Sequence, residues 1–115
     1  MRLTTTTVWT RNPTELRDWY VAHFGMTVLQ DTPRFVLLGS GGGASIGFHV
    51  GEPLETPARV QFHFEVEDVD DVHARLSIEG LDFDDAPEDK PWGVRSASLS
   101  DPAGHSVELT TPLAD

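Results

Sequence analysis

The sequence contains no cysteine, so any chemistry must come from its five histidines, its carboxylates and its hydroxyls. His63 and Glu65 stand two residues apart in an alternating run, and a strand there turns both side chains to one face. An imidazole beside a carboxylate can work as an acid and base pair, with Glu108 as a second candidate carboxylate. The same neighbours also make an ordinary hydrogen-bonded pair with no catalytic role. Trp9 shares a strand face with Thr5 and Thr7, and Trp92 sits in the loop Lys90-Pro91-Trp92-Gly93. Flat rings in such places suit flat ligands, although Trp9 serves core or dimer packing equally well. His23 and His73 fall on expected helices and His105 in a turn, so all three are expected at the surface. Gly41-Gly42-Gly43 is followed by a strand pattern and no lysine, which makes it a hairpin rather than a phosphate loop.

The elements that must position these residues fit one domain of 115 residues, with 38% hydrophobic and 23% charged side chains. Nineteen acidic residues against eight basic ones give a formal net charge of -11, which argues against nucleic acid as a partner. The carboxylates are spread along the chain, so the charge also suits plain solubility, while an acidic surface attracts cationic ligands. No apolar run is long enough for a membrane span, and residues 1–10 lack the pattern of a signal peptide, so a cytoplasmic location without membrane contact is expected.

Residues 2–10 are rich in β-branched side chains and read as a strand. Asn12 then caps a helix with Pro13 in its first position, Leu16, Trp19, Tyr20 and Phe24 on one face, and Gly25 at its end. Short strands follow at 27–30, 35–38 and 44–50. Residues 51–57, with one glycine and two prolines, read as a linker. The order then restarts, with a strand over 59–66, a helix capped by Asp68 and ended by Gly80, and strands at 81–84, 94–99 and 106–110. Laid on each other, the halves bring Asn12 onto Asp68, Leu16 onto Val72, Tyr20 onto Leu76 and Thr5 onto Gln61. Later in each half, the segment from Gly43 to Phe48 matches the segment from Gly104 to Leu109.

A doubled βαβββ unit of this length resembles the vicinal oxygen chelate superfamily, the glyoxalase, bleomycin-resistance protein and dioxygenase group. FEVEDVDDVHARL before Gly80 resembles its strand, cap and helix, and KPWGVRSASLSDPAGHSVEL resembles its closing segment. LRDWYVAHFGM resembles the corresponding helix and turn of the first half. The resemblance implies an α+β fold in which two tandem βαβββ units curve a mixed sheet into a cup. It also implies a ligand site on the concave faces, and a homodimer.

In metal-using members four strand positions supply ligands, and the resemblance places them at Thr5, Gly47, Gln61 and Glu108. Only Glu108 is a strong ligand, so that set is broken. His49 and His63 lie two residues beyond Gly47 and Gln61 on the same faces. With Gln61 and Glu108 they form the fallback set for a divalent ion such as iron, zinc, nickel or manganese. The leading expectation has no cofactor: a small-molecule binder of the bleomycin-resistance type, taking a partly aromatic or cationic ligand against Thr5, Thr7, Trp9, His49, Gln61 and Trp92. The alternative is a lyase, isomerase or dioxygenase of the same superfamily acting on a small oxygenated metabolite, with His63, Glu65 and Glu108 as its catalytic groups.

Overall fold

The computed structural model describes residues 1–114 and divides the chain into two compact units, Met1–Thr56 and the segment from Pro57 onward. In the first unit the elements run β1 (Thr5–Thr10), α1 (Pro13–Phe24), β2 (Thr27–Asp31), β3 (Phe35–Gly39) and β4 (Ser45–Val50). The sheet order is β1-β4-β3-β2, with β1 parallel to β4 and the remaining pairs antiparallel. Local chemistry sets the ends of α1. The Asn12 side chain accepts the backbone N–H of Glu15 at 3.2 Å, Pro13 occupies the first turn, and Gly25 closes the helix at φ 64°, where a side chain would be strained.

One face of this sheet is apolar and covered by α1. Leu16 and Tyr20 are buried there, as are Val8, Val36, Leu38, Ile46 and Phe48, and the Tyr20 and Phe48 rings stack at 5.6 Å. Each fully buried side chain of this size contributes about 1.5–3 kcal/mol, so the helix is held by its packed face more than by its intrinsic propensity. Because side chains alternate along a strand, the opposite face receives Thr5, Thr7 and Trp9 from β1, Ser45, Gly47 and His49 from β4, and Phe35 and Leu37 from β3.

The second unit repeats this order. A 3-10 turn, Pro57–Arg59, leads into β5 (Gln61–Glu65), followed by α2 (Val69–Ile78), β6 (Phe83–Asp89), β7 (Val94–Ser100) and β8 (Ser106–Pro112). The strand order is β5-β8-β7-β6, again with only the first pair parallel. Asp68 caps α2 by accepting the N–H groups of Asp70 and Asp71. Thr111 accepts the Val69 N–H at 2.9 Å and donates to the Val66 carbonyl, which ties the end of β8 to the start of the helix. Phe62, Val69, Leu76, Ala97, Leu99, Val107 and Leu109 are buried. Among the described residues no helix is long and apolar enough to cross a membrane.

Several boundaries depart from the sequence reading. Strand β1 starts at Thr5 rather than Arg2, because the pairing with β4 begins at Thr5 and Ser45. Arg59 lies in the 3-10 turn, so β5 starts at Gln61. Strand β6 extends to Asp89 through acidic residues and Pro87. That composition disfavours a strand, but β6 stands at the end of its sheet and pairs with β7 through two register shifts, where proline is tolerated.

Candidate functional site

In the first unit the register aligns Trp9, His49 and Phe35 as one row across β1, β4 and β3. The Trp9 and His49 ring centroids are 5.6 Å apart at 32°, and those of Phe35 and His49 are 6.1 Å apart. Two glycines allow these rings to lie low on the sheet. A Cβ on Gly47 would meet Thr7 Oγ1 at 2.7 Å and the Phe35 ring at 2.9 Å, and one on Gly51 would meet Trp9 Cδ1 at 2.5 Å. Trp9 is 49% exposed, a large value for tryptophan in a strand. His49 Nδ1 lies 2.7 Å from the Val50 carbonyl oxygen. The result is an aromatic surface of mutually tilted rings with one imidazole set in it.

The equivalent face of the second unit is polar. There the register aligns His63, Glu108, Ser98 and Asp85 as a row across all four strands. His63 Nε2 lies 3.6 Å from Glu108 Oε2 and 3.3 Å from Gln61 Oε1, Gln61 Nε2 reaches Ser106 Oγ at 3.5 Å, and Ser98 Oγ donates to Asp85 at 2.8 Å. The Glu108 side chain is 14% exposed and that of His63 57%. Glu65 continues the same face of β5, opposite Thr110. Lys90 is ion-paired with Glu88, which raises its pKa, with further support from the charges of Asp85 and Glu108. Trp92 is 67% exposed in the turn between β6 and β7.

Gln61, His63 and Glu108 are thus brought together on one face, and Thr7, Trp9 and His49 on another. The direct cross-strand partners of Gly47 and Glu108 are Thr7 and His63, two residues further along than Thr5 and Gln61. The divalent ion implied by the resemblance needs donors at these positions. In the first unit they are a threonine and a glycine, and the Phe35 ring lies over the glycine. Among the described residues no group of three or more histidine, aspartate or glutamate side chains is arranged to hold a metal ion. This first-unit pair of threonine and glycine does not fit that ion.

His105 is not at the surface. It is 2% exposed, its Nδ1 lies 2.8 Å from Asp101 Oδ2, and its ring meets Phe62 edge-on. Asp101 Oδ1 accepts the backbone N–H groups of Ala103 and His105, so this carboxylate organises the turn into β8, the strand that carries Glu108. The signal was present in Asp101-Pro102-Ala103-Gly104, since aspartate opening a turn with proline second and glycine fourth is a turn signature. His23 and His73 are half-buried against Trp19 and Phe83 respectively. Phe35 was not singled out from sequence either, because its role depends on what stands beside it on β4.

Known proteins share this fold. TioX from Micromonospora sp. ML1 is 28% identical with a TM-score of 0.78, covering 98% of this chain and 100% of that one. TnmS3, described as an antibiotic binding protein from Streptomyces sp. CB03234, is also 28% identical, with a TM-score of 0.77 and coverage of 97% and 96%. The lactoylglutathione lyase of Agrobacterium tumefaciens, 18% identical over 96% of this chain and 92% of its own, shares the fold with a TM-score of 0.78. No curated protein matches the chain. The profile of the Glyoxalase/Bleomycin resistance protein/Dioxygenase superfamily matches residues 2–109, and the chain belongs to that superfamily.

Proposed function

We propose that the chain binds a small molecule through a flat aromatic portion that lies on the first sheet, without a metal ion, and acts by sequestering it. The observation that carries this reading is the row Trp9, His49 and Phe35, with Phe35 close over Gly47, Trp9 close over Gly51, and Trp9 half exposed. Stacking on such a surface is worth about 0.5–1.5 kcal/mol beyond the area it buries. The net charge of -11 favours a cationic ligand by long-range attraction. The likeness to TnmS3, an antibiotic binding protein, supports the binding of a small molecule. The protein acts as a homodimer, in keeping with the habit of its family.

The test is a fluorescence titration with the planar cation proflavine and with bleomycin, repeated on Trp9→Ala. Saturable quenching weakened about tenfold by the substitution is the expected result. Unchanged affinity in Trp9→Ala would remove the basis for the reading.

A second reading rests on Gln61, His63 and Glu108. Their contacts would let His63 move a proton on a small oxygenated substrate, with Glu108 orienting it. Turnover of such a substrate that is lost in His63→Ala and Glu108→Ala but retained in Trp9→Ala would favour the enzyme.

A further inference from the structure

His49 has its two ring nitrogens in different circumstances. Nδ1 lies 2.7 Å from the Val50 carbonyl oxygen, and a carbonyl can only accept, so Nδ1 holds the proton and donates it. In the neutral ring Nε2 is then left with a lone pair and no hydrogen. Among the described residues no donor bonds Nε2. The Thr5, Thr7 and Ser45 hydroxyls of this face set no competing preference. Each hydroxyl turns to donate or accept, whereas the Trp9 N–H, on the ring edge nearest Gly51, is a fixed donor. An aromatic surface with one fixed acceptor is therefore what a ligand meets.

We infer that this face selects flat aromatic molecules that carry an O–H or N–H donor at the ring edge, phenols and N–H heteroaromatics, with His49 Nε2 as the accepting atom that determines specificity. The inference rests on the aromatic-binding function proposed above and adds to it the polarity of the ligand. A ring with an ether or carbonyl at that edge sets acceptor against acceptor. A ring with no polar group leaves Nε2 desolvated and unpaired. Discrimination comes as much from these penalties as from the bond gained.

The experiment compares 2-naphthol with 2-methoxynaphthalene, in which a methyl group replaces the donor hydrogen, by following the tryptophan indole N–H resonances of the full chain. The naphthol is expected to bind roughly 3- to 10-fold more tightly, the value of one hydrogen bond. In His49→Phe, which keeps a ring and removes the acceptor, the ratio should fall to about one. Equal affinities in the unsubstituted protein would overturn the inference while leaving the aromatic site intact. Failure of both probes to bind would overturn the two together. A measurement free of ligand and variant decides it separately: nitrogen chemical shifts of His49 at about pH 8 should report the Nδ1–H form, and the Nε2–H form would overturn it.

Discussion

Replacing Asp101 by alanine removes one carboxylate and strands three donors. The backbone N–H groups of Ala103 and His105 lose the acceptor they reach at 2.9 and 3.0 Å, and His105 Nδ1 loses its contact at 2.8 Å. Neither side chain has water to fall back on, since that of Asp101 is fully buried and that of His105 is 3% exposed. A hydrogen bond contributes about 0.5–1.5 kcal/mol net, and each buried donor that loses its acceptor costs about 1–3 kcal/mol. We expect a loss of about 4 kcal/mol, a large part of the roughly 5–15 kcal/mol by which a domain is stable. The melting temperature should fall by about 10–20 °C. Asp101→Asn keeps an oxygen for the two backbone groups and should cost about 1–2 kcal/mol. Urea unfolding followed by tryptophan fluorescence measures both, with a lower midpoint and an unchanged slope. A loss below about 1 kcal/mol in Asp101→Ala, or equal losses in the two variants, would refute the view that this carboxylate holds the turn.

Gly47→Ala drives a methyl group against Thr7 and Phe35 and should destabilise the protein by about 1–3 kcal/mol, while lifting Phe35 enough to weaken aromatic ligands; paired thermal and binding measurements check both effects. The Asp70 carboxyl, bound by the Arg95 guanidinium at 2.8 and 3.1 Å, titrates below the ordinary carboxylate range, chiefly through that hydrogen bond. Its folded form is favoured as the anion, so its contribution is present above the ordinary carboxylate range and is lost as pH falls through the depressed value. A carboxyl resonance titration should show Asp70 returning toward ordinary behaviour in Arg95→Gln. Adding zinc or nickel to the metal-free protein should leave its melting temperature unchanged, and a stoichiometric rise abolished by Glu108→Ala would revive the metal reading.

Features set by neighbouring residues were legible in the sequence. Asn12, Pro13 and Gly25 around the first helix and Asp68 at the second act within a few residues of themselves, and both helices lie between those signals. Strand ends were less legible because they depend on a partner. Thr5 begins β1 because Ser45 is opposite it, and the acidic stretch ending at Asp89 is a strand because β7 lies beside it. The candidate site follows the same division. That Gln61, His63 and Glu65 share a face follows from strand periodicity, but His63 standing opposite Glu108 is a register between separated segments. The row of Trp9, His49 and Phe35 joins three strands, and no spacing in one of them announces the other two.

The parallel pairing that opens each unit also bears on how the chain reaches its fold. The antiparallel strands β2, β3 and β4 are neighbours in sequence and can assemble early, whereas β1 waits for β4 to exist, since Thr5 must find Ser45. Until then β4, whose sequence Ser45-Ile46-Gly47-Phe48-His49-Val50 is largely apolar and uncharged, presents an unpaired edge. Strand β1 therefore acts as a stopper as well as a carrier of Trp9. Trimming residues 5–10, or fusing a bulky partner tightly against them, would leave that edge open and turn a monodisperse protein into one that associates through β4.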